Sequence, residues 1–267
     1  MVCVGVMALQ GSYKDHICVL ESLEVSTREV RFASDLIGLD GLVLPGGESS
    51  AMGVLESSTG LFKAVREALD AGLPVYGTCA GLILLSNTAV GQKEGGQALI
   101  GGLDATVCRN FFGAQVDSFE LDLKEEQNSD FRAVFIRAPA ILSLGDGVTP
   151  LASVTAVPCD KAKPQVQQFL EESKILLGGK KLPRNNKKNN KKQKQNNGAP
   201  LLAGSSEENA SMEVVVAAQQ NNILVTSFHP ELTEDTRWHQ RFIKIVMDHV
   251  HKKNQEQQGK KKKRQLT

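Results

Sequence analysis

The sequence predicts an α/β fold in which a mostly parallel central sheet is flanked by helices. Short apolar runs bounded by turn residues alternate with longer segments of helical periodicity over the first third of the chain. Near the other end, two further apolar runs precede one amphipathic segment. This alternation indicates strand–helix–strand units, which place helices on both faces of a sheet.

Each element is assigned from its own pattern of apolar and turn residues. The first strands are predicted at 2–8, 27–31, 41–44 and 73–76, and the first helices at 14–24, 51–57, 60–71 and 80–88. A strand-rich middle is predicted at 103–109, 115–123, 131–136 and 150–157, and the last strands at 212–219 and 222–227. The closing helix, 234–250, carries Trp238 and Phe242 on an apolar stripe that indicates a core-facing side.

Two segments lack the apolar residues that a packed structure needs. Residues from about 160 to 211 lose periodicity, and Arg184 to Asn197 contains no apolar residue. Such a segment buries too little surface to offset its ordering entropy. We therefore expect one domain over 1–250, interrupted by a disordered insert at about 160–211 and followed by a disordered basic tail at 251–267.

The net charge of +1 conceals two basic segments on an acidic body. Outside residues 180–194 and the tail 251–267, 16 basic residues face 29 acidic ones. Basic runs bind phosphates without sequence preference, so a nucleic-acid-binding protein is one alternative. Neither run contains aromatic residues for base stacking, which disfavours that alternative. The run Lys260 to Arg264 also resembles a nuclear-import signal.

Five cysteines without a C-x-x-C pair disfavour a disulfide framework and a zinc site. A reducing, cytoplasmic setting is the simplest expectation. The apolar first residues are predicted as a strand rather than a signal peptide. No run approaches the roughly 18–20 apolar residues of a membrane helix, so no membrane association is expected.

One cysteine lies in the context of a nucleophile elbow. Cys79 is framed by Gly77 and Gly81, between the predicted strand 73–76 and a helix start. A strand-to-helix turn with small flanking residues exposes a nucleophile, and the glycines tolerate strained backbone. Free N–H groups at a helix N-terminus favour a thiolate. Cys79 is therefore a candidate nucleophile.

A histidine and a glutamate follow the last predicted strand. His229 is a candidate base for the thiol proton, and Glu231 can accept the other imidazole N–H. Alone, an H-x-E sequence is more often structural, but an elbow cysteine elsewhere in the chain reverses that preference. A third signal is Pro45-Gly46-Gly47, between an apolar strand and a helix start capped by Ser49 or Ser50. Its free backbone N–H groups suit an oxyanion hole, although an ordinary glycine turn is the simpler interpretation.

Together these three signals resemble the class I, or triad, glutamine amidotransferases. The resemblance implies a flavodoxin-like α/β fold, with Cys79 as nucleophile, His229 as general acid and base, and Glu231 as its orienter. It also implies an oxyanion hole formed by the backbone N–H groups of Gly47 and Ala80. Neither a metal nor a cofactor is implied.

Further motifs are similar to the Pdx2/PdxT family, the glutaminase subunit of pyridoxal 5′-phosphate synthase. The matching stretches are Ala8 to Gly11, Pro45 to Ser49, Gly77 to Leu82, Gly101 to Asp104, Arg109 to Gly113, Phe135 to Pro139 and Phe228 to Leu232. The match covers about 1–158 and 212–250. Val90 to Gly96 and Asp235 to His239 resemble eukaryotic, plant-like or fungal members. Ser50 replaces a common threonine, and the basic insert and tail have no counterpart in compact bacterial members.

The resemblance also implies how substrate and partner are bound. The residues implied to bind glutamine are Gly47, Glu48, Ser49, Arg109, Ile136 and Arg137. An amino acid offers an ammonium and a carboxylate, and arginine gives the carboxylate a directional contact. The family hydrolyses L-glutamine and delivers ammonia to a Pdx1/PdxS-type synthase subunit in a hetero-oligomer. Alternatives are a glutaminase subunit of another class I amidotransferase and a DJ-1-like cysteine protein, in which the cysteine is paired differently.

Overall fold

The computed structural model describes residues 2–91, 97–113, 118–123, 130–176 and 211–265. Its strands are β1 (Cys3–Met7), β2 (Ser26–Val30), β3 (Gly41–Leu44), β4 (Val75–Thr78), β5 (Ser86–Val90), β6 (Leu103–Cys108), β7 (Phe119–Leu123), β8 (Phe131–Phe135), β9 (Ala140–Leu144), β10 (Thr149–Ala156), β11 (Met212–Gln220) and β12 (Ile223–Thr226). Its α-helices are α1 (Tyr13–Ser22), α2 (Ser49–Thr59), α3 (Leu61–Asp70), α4 (Ala80–Leu85), α5 (Lys163–Leu176) and α6 (Arg237–Gln265). Short 3₁₀-helices lie at Ala33–Leu36 and Pro230–Leu232.

The main sheet has the strand order β2-β1-β3-β4-β12-β11-β9-β6-β5, and β10 pairs with β11. The run from β2 to β12 is parallel throughout. Beyond it, β11 is antiparallel to β12, β9 and β10, and β6 is antiparallel to β9 but parallel to β5. A separate hairpin joins β7 and β8. The predicted α/β fold with a largely parallel sheet is confirmed.

The core lies on both faces of the parallel strands. Strands β3, β4 and β12 are buried along their whole length, as expected for strands covered on both sides. Along β3, Val43 packs into one apolar cluster while Leu42 and Leu44 pack into the other. Alternate side chains therefore enter two separate cores. Polar functional groups can lie only in the segments that follow the ends of these strands.

One helix end and one strand differ most from the sequence prediction. The helix predicted at 80–88 ends at Leu85, and Ser86–Val90 form the edge strand β5 instead. Strand β9, Ala140–Leu144, was not predicted at all. Ser86–Val90 is largely polar and lies at the sheet edge, so no apolar pattern marks it as a strand. Ala140–Leu144 is a short apolar run, in which helix and strand patterns are hard to separate. Of the strand predicted at 115–123, residues 119–123 form β7, Ser118 is not in a strand, and 115–117 lie outside the described residues.

The predicted insert and tail also differ in their described parts. Helix α5 occupies Lys163–Leu176, within the range where no packed structure was expected. Its Val166, Phe169 and Leu170, together with Ala162 just before the helix, pack against the core at a helical spacing that was overlooked. Helix α6 continues through the tail to Gln265, since adding residues to an existing helix is easy for Lys, Gln and Glu. Residues 177–210 lie outside the described residues, so the rest of the predicted insert stays a prediction.

Candidate active site

Three neighbouring strands bring the candidate residues to one edge of the sheet. In the parallel pairing, Leu44 of β3 lies opposite Gly77 of β4, and Thr78 of β4 lies opposite Thr226 of β12. The segments that follow these strands therefore leave the sheet side by side. They are the Pro45–Gly47 turn, Cys79 and the Ser227–Glu231 segment, which are the three signals that the sequence predicts to act together.

Cys79 occupies a strained turn between β4 and α4. Its φ of 47° lies in the left-handed region that residues with a side chain rarely adopt. The backbone is held there by the Cys79 N–H, which donates to the Thr226 carbonyl at 2.8 Å. The Sγ lies 3.8 Å from the carbonyl oxygen of Ile136, and the residue is only 5% exposed. Strain of this kind often accompanies a functional side chain.

The glycines beside Cys79 serve close packing rather than unusual backbone angles. Positive φ values are found at Cys79 itself, not at Gly77 or Gly81. A Cβ at Gly81 would overlap the carbonyl oxygen of Leu44, and a Cβ at Gly77 would lie 2.7 Å from the Gly81 carbonyl carbon. Both glycines thus allow α4 to approach β3 and β4, which corrects the sequence expectation that they absorb the strain.

Replacing Gly81 with alanine is expected to destabilise the fold by about 1–3 kcal/mol, because overpacking displaces backbone. Gly53→Ala is the matched control, since its Cβ would meet only Ala98 N at 3.9 Å. Gly53 also lies inside helix α2, where alanine is favoured. Urea unfolding of both variants measures the difference. Equal midpoints for Gly81→Ala and wild type would contradict the packing role.

His229 and Glu231 form a buried pair beside this turn. His229 Nδ1 lies 2.8 Å from Glu231 Oε1, and both residues are 6% exposed. The His229 ring packs directly on Gly46, where a Cβ would overlap the ring. Glycine is therefore required at position 46 for the imidazole to lie where it does. Among the described residues His229 Nε2 has no hydrogen-bond partner, which leaves it available to the thiol.

The charges of this cluster support one another. Burial lowers the pKa of His229, but a Cys79 thiolate and the Glu231 carboxylate outweigh it and raise that pKa to about 10. Burial would raise the pKa of Glu231, whereas His16, His229 and Ser12 keep it well below its usual value. The arrangement therefore favours a protonated imidazole at His229 and an ionised carboxylate at Glu231.

A second group of charged residues lies at the start of α2. Glu48 caps this helix by accepting from the Ser50 N–H at 3.2 Å, so the prediction of a serine cap was wrong. Its carboxylate also pairs with Arg137 at 2.9 Å and with Arg109 at 3.6 Å. Arg137, at φ 47°, is a second strained residue and directly follows Ile136. The candidate glutamine-binding residues therefore adjoin the Cys79 sulfur through Ile136.

Arg109 enters this group from the end of β6. Its Nη2 donates to the Ser49 and Ser50 hydroxyls at 3.0 Å each. The side chain is 11% exposed, and its buried Nε has no hydrogen-bond partner within the described residues. A guanidinium with an N–H donor still unused can bind a carboxylate. Gln10, which was not among the predicted site residues, also joins this group, because its Oε1 accepts from the Glu48 N–H at 2.7 Å.

Three further polar residues that the sequence analysis missed lie behind Glu231. Ser12 Oγ donates to Glu231 Oε1 at 2.6 Å, and its N–H donates to the Gly46 carbonyl at 3.0 Å. His16 and His239 are both fully buried and form a pair with each other. A histidine on the apolar face of a predicted helix was the available signal.

Across the residues that the structure describes, no helix has the length and apolar content needed to cross a bilayer. Within the same residues, no group of three or more His, Cys, Asp or Glu side chains is arranged to hold a metal ion.

The order of the strands and the cluster at their ends have the form of the class I glutamine amidotransferases, in which an imidazole and a carboxylate support a thiol nucleophile. Comparison with known proteins narrows this class. The model of the SNO glutamine amidotransferase family matches residues 6–162 and 200–248. The chain belongs to this family.

Individual relatives agree with this membership. The chain is 43% identical over 259 residues to a probable pyridoxal 5′-phosphate synthase subunit PDX2 of Arabidopsis thaliana, covering 92% of this chain and 86% of that one. It is 38% identical over 247 residues to the pyridoxal 5′-phosphate synthase subunit PdxT of Clavibacter michiganensis subsp. michiganensis, covering 92% and 91%. A crystal structure described as a glutamine amidotransferase is 35% identical with a TM-score of 0.65, covering 91% of this chain and 98% of that one. The resemblance to the Pdx2/PdxT family is confirmed.

Part of the motif that resembles plant-like or fungal members lies outside the described residues. Gln92 to Gly96, part of the stretch that resembles plant-like or fungal members, lie outside the described residues. The other part, Asp235 to His239, lies at the start of α6, where Asp235 pairs with Arg237. His239 of this stretch is the histidine that pairs with His16.

Proposed function

We propose that this glutaminase of the SNO family hydrolyses L-glutamine to L-glutamate and ammonia through a Cys79 thioester. The ammonia is passed to a Pdx1/PdxS-type synthase subunit that makes pyridoxal 5′-phosphate. The observation that supports this most is the buried His229–Glu231 pair at 2.8 Å, on the same edge of the sheet as the strained Cys79. The names of the relatives support the choice of pathway and partner.

Each residue of the proposed site has its own role in the reaction. The Cys79 thiolate attacks the carboxamide carbon of glutamine, and the backbone N–H groups of Gly47 and Ala80 stabilise the oxyanion. The His229 imidazolium gives its Nε2 proton to the leaving nitrogen, which departs as ammonia and leaves a glutamyl thioester. Neutral His229 then takes a proton from water, whose hydroxide attacks the thioester. Glutamate leaves, the sulfur returns as thiolate, and His229 is again protonated.

The glutamine backbone would bind at the start of α2. Arg109 holds the carboxylate through its underused guanidinium, and Glu48 holds the ammonium. Ser49 positions Arg109 by accepting from it, while Ile136 and Arg137 border the path to the sulfur. A guanidinium and a carboxylate side by side, 3.6 Å apart, match the two charges of a free amino acid.

Arg109→Ala is expected to raise KM for glutamine about tenfold or more, because a hydrogen bond to a charged group contributes about 1.5–3 kcal/mol. The change in kcat should be small, since Arg109 lies away from the reacting carbonyl. Steady-state hydrolysis at several glutamine concentrations measures both constants. Arg66→Ala, which removes an exposed arginine paired with Asp70, is the control with unchanged KM. An unchanged KM in Arg109→Ala would overturn this assignment.

Transfer of ammonia between subunits predicts that glutaminase activity depends on the synthase subunit. Free ammonia is mostly protonated at neutral pH and a poor nucleophile, so it should pass directly between subunits. We expect weak glutaminase activity for the chain alone and higher activity with a Pdx1-type subunit. Comparing wild type and Cys79→Ala, each with and without that subunit, tests the proposal. Equal wild-type turnover in both conditions would count against a coupled complex.

The cellular location of the protein stays a prediction. All five cysteines are free, which fits a reducing cytoplasm. The Lys260 to Arg264 run as a nuclear-import signal is tested by comparing the location of the full chain with that of a chain ending before it.

A further inference from the structure

On the side of Glu231 away from Cys79 lie two buried histidines, His16 and His239. Its Oε1 accepts from His229 and Ser12, at 2.8 and 2.6 Å. Its Oε2 is buried and has no hydrogen bond within the described residues. The nearest group that faces Oε2 is Nε2 of His16, at 3.4 Å. One oxygen of the carboxylate thus serves the triad, and the other faces α1.

His16 in turn contacts a second buried histidine. His16 Nδ1 lies 2.9 Å from His239 Nε2, and His16 Nε2 lies 3.2 Å from Thr78 Oγ1. Both histidines are 0% exposed. Two neutral imidazole nitrogens at this separation share one proton, so the tautomer of one ring determines that of the other.

The surroundings keep both rings neutral. Burial lowers the pKa of His16; Glu231 and Asp15 oppose this and His229 adds to it. Burial, reinforced by His16, lowers the pKa of His239 to about 3. From β4, the uncharged Thr78 contacts His16, and the Tyr76 ring lies edge-on to both imidazoles. At neutral pH each ring therefore carries one proton.

Only one arrangement of these two protons suits the site. If His16 carried its proton on Nδ1, the Nε2 lone pair would face the Glu231 carboxylate. His239 would then carry its proton on Nδ1, where the described residues offer no partner. A buried N–H without an acceptor is costly. With the proton of His16 on Nε2, that N–H lies between Thr78 Oγ1 at 3.2 Å and Glu231 Oε2 at 3.4 Å, and its partial positive charge complements the carboxylate. His239 Nε2–H then donates to His16 Nδ1.

We propose that His16 is a positioning residue for the triad, presenting its Nε2–H to Glu231, and that His239 fixes this tautomer from α6. The inference rests on the proposed function and deepens it. The N–H of His16 keeps Glu231 ionised and leaves Oε1 directed at His229. The His229 imidazolium, on which the leaving nitrogen depends for its proton, is thereby stabilised from two helices that do not contact the substrate.

Two polar variants of His16 separate positioning from packing. In His16→Gln the side-chain amide reaches the place of Nε2 and can still donate toward Glu231. In His16→Asn the amide is shorter and reaches only the place of Nδ1. We expect kcat for glutamine hydrolysis to fall about tenfold or more in His16→Asn, as for other residues that orient a functional side chain. His16→Gln should stay close to wild type, and KM should change little in both.

The titration of His229 supplies a readout that does not depend on turnover. In protein with ¹³Cε1-labelled histidine, NMR should show a lower His229 pKa in His16→Asn than in wild type, with His16→Gln in between. His239→Phe should lower it as well, because it removes the donor to His16 Nδ1. His249→Gln is the matched control on α6, since His249 contacts Asn222 and not the triad.

The outcomes are distinct. Loss of kcat and a lower His229 pKa in His16→Asn, with recovery in His16→Gln, support the positioning role. An unchanged His229 pKa in folded His16→Asn, or equal loss in both His16 variants, overturns it. If wild type fails to hydrolyse glutamine even with the synthase subunit, the proposed function fails, while the titration still decides the role of His16.

Discussion

Replacing Cys79 with alanine should lower glutamine hydrolysis by at least about 10³-fold, because removal of the nucleophile leaves only substrate binding and the oxyanion hole. The side chain is buried in a strained turn, and alanine keeps its Cβ, so folding should be retained. KM, where measurable, should change far less than kcat. Turnover with the synthase subunit present is the measurement, since activity is then expected to be highest.

Cys18→Ala is the control for this variant. Cys18 is exposed on α1 and free. Its replacement should leave hydrolysis unchanged. Persistent hydrolysis in Cys79→Ala, at a rate close to wild type, would show that another group attacks the carboxamide.

Glu231→Gln should lower kcat about 10²-fold or more while leaving most of the structure intact. Glutamine is isosteric with glutamate, but its amide would donate to His229 Nδ1 where the carboxylate accepts. The ring would then carry its proton on Nε2 in the neutral state and could not take one from the thiol or from water. The loss of carboxylate support for a catalytic histidine in serine proteases has an effect of this kind.

The same variant should change the pH dependence in a defined direction. In wild type the pKa of His229 is raised to about 10, so the imidazolium persists through neutral pH and is lost as pH rises through that value. Removing the Glu231 charge lowers this pKa. The basic limb of kcat/KM should therefore move to lower pH in Glu231→Gln.

Glu234→Gln is the matched control, since Glu234 is an exposed acid three residues away. It should keep both the wild-type rate and the wild-type basic limb. If the limb of Glu231→Gln stays in place, the carboxylate does not stabilise the imidazolium.

The candidate catalytic cluster was predictable because each of its members follows a buried strand. Apolar runs mark β3, β4 and β12, and parallel strands end at the same edge, so Gly46, Cys79 and His229 must emerge close together. Local patterns were enough here, because the sequence around each residue carries its own turn or strand signal.

The supporting residues were harder to predict because they meet through tertiary packing. His16 and His239 are 223 positions apart, and each lies on the buried face of its own helix. Periodicity places such a residue toward the core but does not identify its neighbour. Similarly, Glu48 rather than a serine caps α2, because its carboxylate is also held by Arg137.

The antiparallel half of the sheet was only partly predicted. Strand β9 is short, and β11 joins it at a single register position, Val215 opposite Ile141. Pairing of this kind depends on distant strands rather than on local sequence. The cluster of Cys79, His229 and Glu231 was nevertheless predictable, because it follows strands of the parallel half, whereas Arg109 comes from β6 in the other half.

Labelling with an electrophilic glutamine analogue, in which a diazoketone replaces the carboxamide, tests most directly whether residue 79 is the attacking group. Intact mass measurement and peptide mapping would locate the adduct among the five cysteines. We expect one adduct on the thiol of the elbow, suppressed by excess glutamine and slowed when His229 is replaced. A label on any of the other four cysteines instead, or no glutamine-protected label, would contradict the assignment.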